Sequence, residues 1–117
     1  MKAITQYFLI TIFLTSLMSF INAPEVKFAG TYNVYDSNTA IIELVLNEDM
    51  TFTYVDHSNS NKKIDVSGTW EVKNNHILLK NYESEYSFHD KWKIEKNGMV
   101  AKSRHGITFY TLVKSNK

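Results

Sequence analysis

The sequence predicts an all-β protein: an antiparallel up-and-down meander of about eight short strands, curling into a closed or half-open barrel. Three observations predict it. Apolar residues recur at every second position, most plainly in Ile64–Lys73, where Ile64, Val66, Gly68, Trp70 and Val72 share one face and Asp65, Ser67, Thr69 and Glu71 the other. Turn-forming clusters break the pattern at intervals of about 8–12 residues. Beyond Ala23 no segment carries a helical period. A flat sheet of so many strands would leave an apolar face bare and two edges unpaired, so closure into a barrel is expected.

The chain opens with a basic start, Met1-Lys2, and an uncharged apolar stretch from Tyr7 to Ile21. At roughly 15 residues this stretch is short for a membrane span, and it has the layout of a secretory signal peptide. The leader is expected to cover residues 1–23, with cleavage after Ala23; Pro24 disfavours that cut, so one nearer Ser19 stays open, as does an uncleaved anchor. The domain is then residues 24–117, secreted or periplasmic, with no membrane span beyond the leader.

The strands follow in order. Pro24–Lys27 reads as a tether and Phe28–Tyr35 as the first strand, with Phe28, Gly30, Tyr32 and Val34 on one face. After the turn cluster Asp36-Ser37-Asn38 comes Ala40–Leu46, with Ile42, Leu44 and Leu46 in phase. Asn47-Glu48-Asp49 turns the chain into Thr51–Val55, which points Phe52 and Tyr54 inward. The polar run His57–Lys63 is an exposed loop tip before Ile64–Lys73. Asn74-Asn75 tolerates the positive φ that a two-residue hairpin needs, and His76–Lys80 returns with Ile77 and Leu79 inward. Glu85–His89 reads as a further short strand through Tyr86 and Phe88; Lys91–Lys96 follows with Trp92 and Ile94 inward. Asn97-Gly98 is the strongest hairpin signal. Met99–Ser103 and Ile107–Val113 end the meander, the last with Ile107, Phe109 and Val113 on one face and Tyr110 and Leu112 on the other.

Composition narrows the function. Lys and Arg total 13 against 12 Asp and Glu, and removal of Lys2 with the leader balances them. A balanced chain offers no global field for nucleic acid or anionic lipid, and no nucleic-acid partner is expected. The chain has no cysteine, which rules out disulfides, a thiol nucleophile, a zinc–thiolate site and a lipid-modified cysteine. It has no Asn-x-Ser/Thr sequon either. A domain of about 94 residues must therefore be stable through its core alone.

Two stretches resemble known proteins. Gly30-Thr31-Tyr32 on the first strand, with Arg104 near the last, resembles the lipocalin arrangement, in which a Gly-x-Trp opens the barrel and a late Arg packs over the ring. The run Leu44–Phe52, followed by Gly68-Thr69-Trp70-Glu71-Val72 and Ile77-x-Leu79, resembles small bacterial lipocalin-like exported domains. These include the N-terminal domain of copper-homeostasis outer-membrane lipoproteins. The resemblance implies a lipocalin-like barrel outside the cytoplasm. Those lipoproteins carry a lipidated cysteine and a Cys-x-x-Cys pair that this chain lacks, so copper sensing and lipid anchoring are not carried over.

Sites with chemistry are sparse. His57, His76, His89 and His105 lack the spacing that pairs metal ligands on one element; they read as surface or rim residues, and no metal or cofactor is expected. Glu83 and Glu85 share a strand face but lie in a charged region. Ser67, Ser87 and Ser103 are nucleophiles by type alone, with no nucleophile elbow around them. Lys91, Lys93 and Lys96 around Trp92 read as the wet face of a strand. Tyr35, Tyr82 and Tyr110 fall on the exposed side. The chain is thus expected not to be an enzyme. The inward aromatics either line a pocket or fill the core, and a barrel of this size has room for little besides its own side chains. Two functions follow. One is binding of a small apolar ligand at the barrel mouth by Tyr32, Tyr54 and Trp70. The alternative is an envelope protein-interaction module with a filled barrel, acting through loops such as His57–Lys63.

Overall fold

Period-two burial builds the strands. The structure, a computed structural model, describes residues 26–34 and 41–115. The expected leader, the turn Asp36-Ser37-Asn38, Tyr35 and Ala40 lie outside the described residues. A single 3-10 turn, Val26–Phe28, leads into β1 (Gly30–Asn33). Then come β2 (Ile42–Leu46), β3 (Thr51–Asp56), β4 (Ile64–Lys73), β5 (His76–Lys80), β6 (Lys91–Glu95), β7 (Val100–His105) and β8 (Thr108–Lys114). Each strand pairs antiparallel with the next, and β1 pairs with β8 through Tyr32↔Lys114 and Asn33↔Val113, which closes the barrel. Closure removes the sheet edges that would otherwise invite pairing with other chains.

Turn chemistry places the strand ends. Asn74 and Asn75 adopt φ of 54° and 64°, the two positive values that a tight β4–β5 hairpin requires. The β6–β7 turn is longer than a two-residue hairpin: Lys96, Asn97 and Gly98 all have positive φ, and the Met99 N–H donates to Lys96 O. Gly68 faces inward opposite Phe52; a Cβ there would lie 2.8 Å from Phe52 Cε1 and collide with the Lys80 carbonyl. The missing side chain is what lets β4, β5 and the Phe52 ring close on one another.

Three expectations are corrected. Glu85–His89 is not a strand. Asn81 takes a positive φ and leaves the ladder, and Ser84 Oγ donates to Tyr86 O, so segment 81–90 runs irregularly between β5 and β6 while Tyr82 and Phe88 pack on the core. The apolar face of β8 is also inverted. Ala101 on β7 is buried and pairs with Leu112, whereas Arg104 points to solvent and pairs with Phe109. That register turns Tyr110 and Leu112 inward and leaves Phe109 69% and Ile107 94% exposed. Tyr82 and Tyr110, expected on the exposed side, are instead partly buried against the core.

The interior is filled by side chains. Tyr54 stacks on Phe88 at 5.1 Å, Tyr82 meets Phe88 edge-on at 4.7 Å, and Trp92 tilts against Tyr54 at 6.1 Å. Leu44, Leu46, Ile77, Leu79, Ala101 and Leu112 fill the space between the rings.

The end holding the β2–β3 and β6–β7 turns is sealed. Tyr32 Oη, on β1, lies 2.8 Å from Phe28 O and 2.9 Å from Gly98 O, so one hydroxyl proton ties the entry turn to the β6–β7 turn. Burial pushes this phenol up to about 12. The cation over the Tyr32 ring is Lys114, with Nζ 5.7 Å from the ring centre and 3.1 Å from Lys27 O; Arg104 lies instead over Phe109 at 5.1 Å, towards the other end. Tyr32→Phe is expected to cost about 1–3 kcal/mol, because two buried carbonyls lose their donor. Urea unfolding would measure it; an unchanged midpoint would show that the seal needs no hydroxyl.

Candidate functional site

The polar groups worth examining gather where the β3–β4, β5–β6 and β7–β8 connections meet. β3 alternates inward through Phe52 and Tyr54, and the same phase sends Asp56 inward at the strand's last residue. Asp56 is buried, and four hydrogen-bond donors converge on it. Ser58 N–H (3.0 Å) and Ser58 Oγ (2.6 Å) reach Oδ1, while Tyr54 Oη (3.2 Å) and Tyr110 Oη (2.9 Å) reach Oδ2. Four donors on two oxygens match the acceptor capacity of a carboxylate. None of the described Lys, Arg or His side chains forms an ion pair with it. Burial, with the Asp56 charge beside it, holds the Tyr54 hydroxyl far above the usual phenol range. Burial likewise raises Tyr110, partly opposed by the neighbouring Ser58 hydroxyl.

His89 stands next to this carboxylate cluster. Its ring stacks on Tyr110 at 4.0 Å and lies 5.4 Å from the His105 ring. It is 4% exposed. Ser103 decides its tautomer. The Ser103 hydroxyl donates its only proton to Lys91 O at 2.7 Å, so the 2.8 Å contact between Ser103 Oγ and His89 Nδ1 requires the proton on Nδ1. Nε2 then carries a lone pair. Burial and the neighbouring His105 push His89 down to about 4, keeping the ring neutral at pH 7. The same geometry removes Ser103 as a nucleophile: its proton is committed to a carbonyl, and the imidazole donates to it rather than accepting from it.

The expected ligand residues are not brought together at the mouth. Tyr32 (0% exposed) belongs to the sealed end, and Trp70 (2%) donates from Nε1 to Asn47 O in the β2–β3 turn. Tyr54 (0%) reaches the Asp56 cluster instead. Loop His57–Lys63 is exposed and contributes Ser58 and Lys62 to the rim of this cluster. Glu83 and Glu85 are exposed, with no shared partner. Among the described residues no set of three His, Cys, Asp or Glu side chains could hold a metal ion. Asp56 and His89 were missing from the expected site because neither carries a motif; a close count of phase along β3 is the one signal that would have pointed Asp56 inward.

A second feature lies outside the barrel. The outer faces of β5 to β8 form a groove of about 360 Å³, lined among others by Lys91, Lys93, Lys102, Arg104, Phe109 and Thr111. Lys93 and Lys102 stand directly opposite one another across β6–β7, and Lys91 and Arg104 follow two residues further along each strand. One carboxylate answers them: Glu95, 3.2 Å from Lys102 and 3.9 Å from Lys93. Comparison with known proteins returned no matching family model, no matching curated protein and no matching solved structure.

Proposed function

We propose that the chain is an exported, non-catalytic, lipocalin-like barrel that binds a protein partner through the groove outside β5–β8, the partner contributing an extended acidic segment with apolar residues. The observation that carries this is the facing pair Lys93–Lys102, extended by Lys91 and Arg104 beside an exposed Phe109. Like charges placed directly opposite on neighbouring strands destabilise a sheet, so this arrangement has a cost that an acidic partner would remove. Phe109, stacked under the Arg104 guanidinium, offers the apolar anchor that interface centres favour. The eight-stranded meander and the cation over Tyr32 support the lipocalin-like part of the reading, with Lys114 in the place expected of Arg104.

The filled interior favours this over an apolar ligand held by Tyr32, Tyr54 and Trp70. Such a ligand would have to displace packed side chains, and the three phenol and indole polar atoms already have partners within the chain. The tied hydroxyl of Ser103 supports the non-catalytic part. The test is fluorescence anisotropy with a labelled peptide alternating Glu and Phe, against its Lys–Phe counterpart. The acidic peptide is expected to bind, to weaken with added salt, and to lose at least about tenfold in affinity to the double variant Lys93→Glu/Lys102→Glu. Equal binding of both peptides, or tighter binding of a single-stranded oligonucleotide, would overturn the proposal.

A further inference from the structure

We infer that the pocket bounded by Asp56, Ser58, Tyr86, Phe88, His89 and Tyr110 is a binding site for a small organic ammonium ion. The pocket measures about 150 Å³ and opens at the end of the barrel opposite Tyr32. Its chemistry follows from counting protons. The Ser58 hydroxyl proton goes to Asp56 Oδ1 and the Tyr110 and Tyr54 hydroxyl protons go to Asp56 Oδ2. The 3.3 Å contact between Ser58 Oγ and Tyr110 Oη therefore has no proton left to share, and both oxygens keep lone pairs. His89 has its proton on Nδ1, committed to Ser103, so Nε2 is an acceptor too.

His89 lines the pocket, and Nε2 is the ring nitrogen not committed to Ser103. Among the described residues it has no hydrogen-bond partner, and no fully buried side-chain nitrogen or oxygen there is left without one. The residue is almost wholly buried, and the pocket is the cleft that it lines.

The buried groups of the wall are acceptors without a free donor. They surround a carboxylate that no described cation neutralises. Water can satisfy acceptors, but it brings no charge to the carboxylate. A ligand that matches these buried groups donates hydrogen bonds and is positive; the other donors of the lining, Asn59, Lys62, Ser87 and Thr108, stand on its exposed rim. A primary ammonium has three N–H donors and no lone pair. The aromatic rings of Tyr86, Phe88 and Tyr110 line the same pocket, and aromatic rings attract cations and cover a short alkyl chain. The volume limits that chain to a few carbons. Lys62 at the rim sharpens the inference. Its Nζ lies 5.9 Å from the Tyr86 ring, so its charge opposes an incoming cation and would attract an anion.

The test is NMR titration of the purified chain with propylammonium, 1-propanol and propionate. Propylammonium is expected to shift the amides of Ser58, His89 and Tyr110 and the His89 Nε2 resonance, with a dissociation constant of about 1 mM or below. Propanol and propionate are expected to leave them in place. Lys62→Met should tighten propylammonium binding several-fold, the opposite of its effect on an anion. His89→Phe keeps the stacked ring and is expected to weaken binding about tenfold with the thermal melt still cooperative. Asp56→Asn should weaken it further. Shifts with propionate, equal shifts with propanol, looser binding in Lys62→Met, or no shift with any of the three would each overturn the assignment. None of these outcomes touches the groove reading: Tyr110 lines both places, but Ser58 and His89 line only this pocket and Lys93, Lys102 and Phe109 only the groove, so their amides separate the two.

Discussion

Trp92→Ala is expected to remove most of the stability of the barrel. Trp92 sits on β6 with no exposed surface, between Tyr54 and the His89 ring, and its indole N–H donates to His89 O at 2.8 Å. Truncation removes a large buried ring, leaves a cavity in an interior held by strand pairing on all sides, and strips a carbonyl of its donor. Large aromatic-to-alanine changes of this kind cost about 3–5 kcal/mol. Small domains are stable by only about 5–15 kcal/mol, and without cysteine no disulfide can offset the loss. The urea midpoint should fall sharply and the near-ultraviolet circular dichroism should lose its fixed-aromatic signal. Trp92→Phe should recover the packing but not the hydrogen bond, and so fall between the two. A loss below about 1 kcal/mol for Trp92→Ala would mean that the ring is not packed on all sides. The barrel would then have free interior volume, and an apolar ligand among its aromatics would regain its basis.

How such a core was legible in the sequence depends on where polarity alternates cleanly. In β4, β5 and β6 one face is apolar and the other largely polar, so a one-residue slip would bury charge, and the inward set reads directly. β8 has apolar residues on both faces: Phe109 and Val113 on one, Tyr110 and Leu112 on the other. Local pattern cannot choose between them. Pairing with β7 chooses, because Ala101 must face in and Arg104 must face out. Segment 81–90 misleads differently. Tyr86 and Phe88 are two apart, as on a strand, yet the positive φ of Asn81 takes the chain off the ladder before they arrive. The Asp56–His89–Tyr110 cluster was hidden for a third reason. Asp56 ends β3, His89 lies between β5 and β6 and Tyr110 is on β8, each more than 20 residues from the next, and only barrel closure makes them neighbours.

The same cluster should give the protein a measurable acid sensitivity. His89 is held down to about 4, against an ordinary histidine value of 6.5, chiefly by burial and then by His105; Asp56 and Asp90 pull the other way. In the unfolded chain it takes up a proton as pH falls through about 6.5, while in the folded barrel it stays neutral until about 4. The unfolded state therefore binds more protons throughout that window. Stability contributed by neutral His89 is complete above about pH 7, falls between 6.5 and 4, and has no further slope below, where both states are protonated. At 1.36 kcal/mol per pH unit, the loss amounts to about 3 kcal/mol. Carboxylates titrate in the lower half of this range, so the wild type alone cannot isolate the effect. The comparison with His89→Phe can, because the variant keeps the ring against Tyr110 and every other titrating group. Urea unfolding at intervals from pH 7 to 4 should show the wild type losing about 3 kcal/mol more than His89→Phe. Parallel curves would mean that His89 takes up its proton as readily in the folded barrel as in the unfolded chain, and the neutral ring with Nε2 as an acceptor would lose its basis.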